Sequence, residues 1–407
     1  MERADAVVLG AGPAGLAAAL AFAEEGASVA LVEAGSEVGG LCRTLSRDGF
    51  LYDLGGHILF VRDAKRLGWL RSLLPGDLVW VNRPVASVID GRIVRGRYLD
   101  QTPDDPLAAV PARDPVSGAD YLEAEVGAAF ADRRMRSYLE KIDGVPLEEV
   151  PASRIEGLHV RQSAPDGFWF TRRGIGQLMS AMAQAFAEAG GTLLNGTRVE
   201  AISVSGGRMA GVRMGNGALR EIAAERLVVA VPPLLAAGLV SPAAPAGAVP
   251  AVPMRAVCLV YLALQRDRLT DEAWIQVDDP QVPFARLAEM RNWSADMAPP
   301  GRTVLCAECY CRAEASDPVW SLDDQALGAA CAGALASPLG LLDDPAVART
   351  LEVVRLPRAY PSVTVAQVPA AQAPWRFLMS IGGVEVAQGG AVIEAFDAGE
   401  AAALRLL

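Results

Sequence analysis

Apolar and polar positions divide the chain into short strand-like runs and longer helical ones. The first run, Ala6-Val7-Val8-Leu9, leads into Gly10-Ala11-Gly12-Pro13-Ala14-Gly15, an Ala/Leu-rich stretch to Gly26, and an apolar run at 28–32 that ends on Glu33. Strand, glycine turn, helix, strand and acid in this order predict a βαβ unit. Apolar residues at Leu122, Val126, Ala129 and Phe130 predict an amphipathic helix over about 121–141, stopped by Gly144 and Pro146. A further helix is expected to end near Ala189. A β meander follows at 192–194, 198–202, 209–213 and 226–231, with turn glycines at 206–207 and 215–217. The acidic, proline-rich stretch 100–119 reads as a surface loop, and 242–253 as an Ala/Pro connector. Strands are expected at 258–264 and 302–310, and a final helix contains Gly399.

Each glycine of the first turn has a physical task. Gly10 permits the tight turn, Gly12 lets the backbone approach a pyrophosphate, and Gly15 lets the helix pack closely on the sheet. The free N–H groups of that helix then face the phosphate. Glu33 follows Gly15 by eighteen residues, where a carboxylate can accept hydrogen bonds from a ribose. These residues point to a dinucleotide.

The following segment narrows the choice. Glu33 is followed by Ala34-Gly35-Ser36-Glu37-Val38 and then Gly39-Gly40-Leu41-Cys42-Arg43-Thr44. This resembles the FAD-binding signature of the flavoprotein superfamily that holds amine oxidases, protoporphyrinogen oxidase, phytoene desaturases and UDP-galactopyranose mutase. The resemblance implies FAD as cofactor and an α/β fold: a Rossmann-type, glutathione-reductase-like FAD-binding domain with an interleaved α+β substrate domain. The boundaries it implies are 1–80, 155–235 and 370–407 for the FAD domain, and 81–154 and 236–369 for the substrate domain. It further implies that Gly39 and Gly40 begin a second phosphate-contacting loop and that Arg43 meets the pyrophosphate. Gly55 and Gly56, within Asp53-Leu54-Gly55-Gly56-His57, would lie against the isoalloxazine. The Val199 backbone would meet the adenine, and a helix starting at Gly390 and Val392 would face the flavin pyrimidine. Relatives usually carry Gly-Asp, Gly-Glu or Gly-Arg where this chain is aligned with Gly382-Gly383, so Glu385 would have to supply that polar contact.

Candidate chemistry beyond the cofactor is sparse. The chain has two histidines, His57 and His159, and two lysines, Lys65 and Lys141. His57 is either a neutral hydrogen-bonding group beside flavin or substrate, or a structural histidine. Arg172 and Arg173, beside Trp169, either meet an anionic substrate group or are solvated cations at a turn. Tyr310 and the Ala359-Tyr360-Pro361 landmark complete the candidate catalytic set of His57, Arg173, Tyr310 and Tyr360. Amine-oxidase relatives place a lysine near the flavin, and neither lysine here falls within 255–310, which disfavours classical amine oxidation.

The function expected is thus an FAD-dependent oxidase, dehydrogenase or desaturase acting on a small or cyclic organic substrate. The alternatives are a mutase like UDP-galactopyranose mutase, which needs an arginine pair for a sugar diphosphate, and a non-catalytic FAD-binding protein. The 407 residues suit two connected domains, and a net charge of −11 argues against nucleic acid as partner. No transmembrane segment or basic leader is expected, which makes the cytosol the default location. Oligomeric state is left open. Cys306, Cys309 and Cys311 are not expected to hold a metal, because strand alternation puts Cys306 on the opposite face from the other two.

Overall fold

The computed structural model describes residues 2–89, 91–97, 114–162, 167–215, 219–242, 250 and 252–407. Most of the acidic loop, part of the second meander turn and most of the 242–253 connector lie outside the described residues. Three large sheets organise the rest.

The first sheet is parallel. Thr192–Leu194, Val29–Val32, Ala6–Leu9, Leu227–Val229 and Val384–Val386 lie side by side in that order. Its central strands are buried on both faces, which is why they read as unbroken apolar runs. Helix Pro13–Glu24 crosses from Ala6–Leu9 to Val29–Val32, completing the expected βαβ unit. The second sheet is the meander Arg198–Ser205, Arg208–Gly215 and Leu219–Ala223, edged by Glu2–Arg3 and Val240–Ser241.

The third sheet has seven strands, in the order Arg349–Pro361, Met254–Leu264, Thr303–Cys311, Arg286–Glu289, Trp274–Gln276, Val85–Ile89 and Arg92–Arg95. Side-chain alternation splits its two central strands between two cores. Val257, Leu259, Tyr261, Val304, Cys306 and Tyr310 join the core shared with the nucleotide-side helices. Cys258, Val260, Leu305, Ala307, Cys309 and Cys311 join the core beneath helix Asp324–Ala336. Cys306 thus faces away from Cys309 and Cys311, as the alternation predicts.

Two local expectations are corrected. The single helix over 121–141 is three: Gly118–Val126, Ala128–Arg134 and Arg136–Asp143. Gly127 takes φ of +81°, which interrupts the helical ladder, and a second break falls at Met135. The last of the three ends on a left-handed Gly144, as expected. Gly382-Gly383 is not at the nucleotide end of its strand. Gly383 precedes Val384–Val386, and its carbonyl accepts from the Leu227 N–H (2.8 Å) at the start of the neighbouring parallel strand. The opposite end of that strand lies at the level of Gly10: the Ala387 N–H bonds Val229, and the Ala230 N–H bonds Leu9 (both 2.9 Å). The residues entering the cofactor crevice from this strand are therefore Ala387 and Gln388. Glu385 is also engaged elsewhere, accepting from Arg405 at 2.9 Å.

Helix Val392–Leu406 lies against Pro13–Glu24, and Gly399 sets their separation: a Cβ there would come 2.0 Å from the Ala14 carbonyl oxygen. Among the described residues no helix is long and apolar enough to cross a membrane. Gly399→Ala is expected to lower the urea unfolding free energy by about 1–3 kcal/mol through overpacking. Helix propensity alone favours alanine by roughly 1 kcal/mol, so a stabilised variant in the same titration would refute the close contact.

Candidate active site

The nucleotide end of the parallel sheet is shaped by close backbone approaches. A Cβ on Gly15 would sit 1.8 Å from the Gly10 carbonyl oxygen, and one on Gly10 would sit 2.6 Å from Val231. Gly12, at the N-cap of helix Pro13–Glu24, differs: a Cβ there would meet nothing within 4 Å. The chain is therefore tight behind the turn and open in front of it. Glu33 closes the unit by accepting from the Ala11 N–H (2.9 Å) and the Gly35 N–H (2.7 Å). The Gly39 N–H donates to Ala11 O at 2.7 Å, bringing the second glycine loop to the first. Gly40 lies against it too, since a Cβ there would be 3.4 Å from the Gly12 Cα. Arg43 is half-buried beside this loop, its Nε on Gly40 O at 2.9 Å and its guanidinium 3.7 Å from Glu37.

Other expected contact residues have defined positions. The segment leading into Arg198–Ser205 is tied to the acid, with the Thr197 N–H on Glu33 O (2.8 Å) and the Gly196 N–H on Gly35 O (2.7 Å). Val199 follows two residues on, its side chain buried. Glu394 caps its own helix, accepting from the Gly390 N–H (3.0 Å) and the Ala391 N–H (3.1 Å), with Val392 opening the first turn. These features fit a dinucleotide: an open glycine, a free helix N-terminus and a carboxylate at the end of the second strand.

The catalytic half forms where segment 53–57 meets the seven-stranded sheet. Arg286 and Glu308 are directly opposite on neighbouring strands. Arg286 donates to Glu308 at 3.2 Å, Tyr310 donates to it at 2.9 Å, and the Gly56 N–H donates to it at 3.2 Å. Glu308 is 3 % exposed, so all three donors act on a carboxylate withdrawn from water. Tyr360 stacks on Tyr310, ring centroids 6.0 Å apart. A cavity of about 30 Å³ opens here, lined by Gly55, Gly56, His57, Arg286, Glu308, Tyr360 and several aliphatic side chains.

Burial sets the protonation states. It pushes the His57 imidazole below its usual range, toward the neutral form, with Glu308 opposing. It raises the Tyr310 hydroxyl well above the ordinary tyrosine range, and Glu308 adds to the effect. Burial also works against the charge of Arg286, but Glu308 and the neighbouring tyrosines hold the guanidinium protonated.

His57 and Tyr360 thus line one cavity, with Tyr310 immediately behind Glu308. Arg173 is not among the cavity residues; it is exposed on the turn before helix Gly176–Glu188. Arg172 is held by Asp77 (3.2 Å) and Asp296 (3.8 Å). Trp169 packs on Trp80, with Arg71 over its ring. Lys141 clamps the carbonyls of Asp279 and Phe284 (both 2.8 Å), and burial lowers it to about 8. Arg286 and Glu308 escape the sequence reading. Their available signal is a carboxylate at the same parity as Tyr310 in an otherwise apolar strand.

Comparisons with known proteins agree with this geometry. The family model described as flavin containing amine oxidoreductase matches residues 96–380, and an NAD(P)-binding Rossmann-like domain matches residues 8–70. The zeta-carotene-forming phytoene desaturase of Myxococcus xanthus is 28 % identical over 269 residues, 53 % of this chain and 51 % of that protein. All-trans-retinol 13,14-reductase of Rattus norvegicus is 35 % identical over 97 residues, 23 % of this chain and 16 % of that protein. The matches to these curated relatives thus span about half of their length or less. Among solved structures, reduced UDP-galactopyranose mutase superposes with a TM-score of 0.80 at 20 % identity, covering 99 % of this chain and 96 % of that one. Putrescine oxidase bound to putrescine superposes with a TM-score of 0.70 at 18 % identity, covering 99 % of each chain. At these identities the structures share the fold.

Asp53 offers a pH test of the packing behind the site. Its buried carboxyl accepts from Thr44 (2.6 Å) and from the Ile175 N–H (3.0 Å), yet burial raises it from 3.8 to about 7. A carboxyl with a higher pKa folded than unfolded binds its proton more tightly in the folded state. Its contribution therefore falls as pH rises from about 3.8 to about 7. Asp53→Asn is expected to gain stability relative to wild type across that window, measured as paired urea midpoints. A difference independent of pH would contradict the raised pKa.

Proposed function

The chain belongs to the flavin-containing amine oxidoreductase family, and on that basis we propose that it is an FAD-dependent oxidoreductase removing hydride from a small or cyclic organic substrate. The observation that carries the reading is the meeting of Gly55-Gly56-His57 with Arg286, Glu308 and Tyr310 at one cavity. FAD, when bound, supplies a hydride-accepting ring system. The open face of Gly12, the amides of helix Pro13–Glu24, Gly39, Gly40 and Arg43 would hold its pyrophosphate, and Glu33 its ribose. Val199 would contact the adenine, and the start of helix Val392–Leu406 the pyrimidine side.

The chain's own groups then account for selection and proton handling. Glu308 fixes the Gly56 backbone and the Tyr310 hydroxyl in place. Tyr310 and Tyr360 form an aromatic wall that excludes water and orients a planar or cyclic substrate. His57, kept neutral by burial, can hold or give up a proton at its ring nitrogens. Lys141 is committed to backbone carbonyls, in line with a substrate other than a simple amine.

The alternatives have less support. A sugar-diphosphate mutase needs a pair of arginines, and the described cavity lining contributes Arg286 alone, already ion-paired. A non-catalytic FAD protein rested on Gly382-Gly383, which lies at the far end of its strand. A cytosolic location and a small-molecule substrate complete the reading.

Two measurements test it. Gly12→Val should fold normally, within about 0.5 kcal/mol of wild type, because nothing of the protein lies within 4 Å of the added Cβ. Its FAD content after purification should be close to zero, and full retention of FAD would overturn the pyrophosphate assignment. Second, the flavin spectrum of the anaerobically reduced protein is followed as oxygen returns. Recovery within seconds marks an oxidase. Slow recovery marks a dehydrogenase or desaturase, and UDP-sugars are then tried on the reduced protein to exclude the mutase. A protein that takes up no FAD ends this reading.

A further inference from the structure

Two polar atoms shielded from solvent at this cavity have no hydrogen-bond partner: Arg286 Nε and His57 Nδ1. The far end of the Arg286 guanidinium is occupied, by Glu308 at 3.2 Å and by the Tyr138 hydroxyl. Its Nε carries one hydrogen and can only donate. The Gly55 carbonyl lies near the His57 ring but makes no hydrogen bond of acceptable geometry to Nδ1. Among the described residues, the cavity therefore offers one obligatory donor and one imidazole nitrogen with nothing from the chain to meet them.

Charge and size decide what could. Arg286 is already neutralised by Glu308, whose carboxylate is 3 % exposed. An anion entering here would meet that carboxylate, and a cation would meet the guanidinium. The rest of the lining includes the aliphatic side chains of Leu54, Val257 and Leu259. A cavity of about 30 Å³ has room for the polar tip of a molecule, not for the whole of it. Tyr360, 41 % exposed, stands at its edge, where a larger body could continue outward.

We propose that this cavity is a binding site for one uncharged carbonyl oxygen, received by Arg286 Nε–H and by His57 in its Nδ1–H tautomer. The proposal rests on the FAD-dependent reading above. It names a chemistry that has two sources, a pyrimidine carbonyl of the flavin or a ketone carbonyl of the substrate. In either case the two donors polarise the carbonyl while the buried Glu308 keeps Arg286 oriented. A hydrocarbon polyene would leave both donors unmet, so the site selects against it.

The test uses holoprotein reconstituted with FAD labelled with carbon-13 at its two pyrimidine carbonyls. It is titrated with three ligands of similar shape: α-tetralone, tetralin and naphthoate. For a substrate carbonyl, α-tetralone binds about tenfold tighter than either of the others, and its carbonyl stretch shifts to lower frequency on binding. Arg286→Lys keeps the positive charge opposite Glu308 but removes Nε–H, and it should erase that preference. For a flavin carbonyl, the three ligands show no such ranking, and a labelled flavin resonance moves in Arg286→Lys without any ligand. The proposal is overturned if naphthoate binds best, or if the ligands bind alike and the flavin resonances stay unmoved. If Arg286→Lys does not fold, the wild-type ranking and the His57→Phe flavin resonances decide between the same outcomes. Failure to bind FAD would defeat the earlier reading and not this one, because the ligand series can still be read on the cofactor-free protein.

Discussion

A carboxylate with 3 % exposure has to be both paired and hydrogen-bonded to remain in place. Glu308 meets that demand with an arginine on the next strand, a tyrosine two residues along, and a backbone N–H from a distant part of the chain. The last partner ties the segment that continues from the nucleotide unit to the seven-stranded sheet. Tyr261 repeats the tie by donating to the Asp53 carbonyl at 2.6 Å while its ring lies 4.3 Å from that of Tyr52. Tyr52 in turn bonds Glu352 on the edge strand. Gly55, Gly56 and His57 are thus held on a rigid surface by several independent contacts, and the site inherits that precision.

The seven-stranded sheet serves two purposes at once. One face of Thr303–Cys311 is entirely small and apolar, closed by helix Asp324–Ala336, and carries Cys309 and Cys311. The other face presents Cys306, Glu308 and Tyr310 toward the nucleotide side. Charge is confined to the face that has partners for it. The same logic places Asp53 where Thr44 and the turn at Gly174 and Gly176 can surround it; Cβ atoms on those glycines would come within 2.4 and 2.7 Å of Thr44.

The parts of the fold legible in the sequence were those determined locally. The βαβ unit at 6–33 announces itself because turn glycines, helix and closing acid are adjacent in the chain. The cysteine faces follow from alternation alone. The Arg286–Glu308 pair was hidden because it depends on which residues of two strands end up opposite, and that register is set by tertiary packing. Gly382-Gly383 was misplaced for a related reason. The strand that follows has only three residues, so motif spacing could not distinguish its two ends. The break at Gly127 was masked by an apolar spacing that continues across it, although the glycine itself was in view. Arg173 shows the converse limit: a basic residue beside aromatics suggested an anion site, but the turn directs it to solvent.

The contact of Gly399 with Ala14 joins two helices near opposite ends of the chain, and Val384–Val386 enters the parallel sheet alongside Leu227–Val229. The nucleotide-side sheet is consequently assembled from pieces separated by hundreds of residues, a topology with slow, late-closing contacts. During synthesis the first βαβ unit emerges early but lacks its edge strand and covering helix until nearly the whole chain has been made. Cofactor capture is thereby coupled to completion of the polypeptide: the site matures only when its last structural element returns to its first.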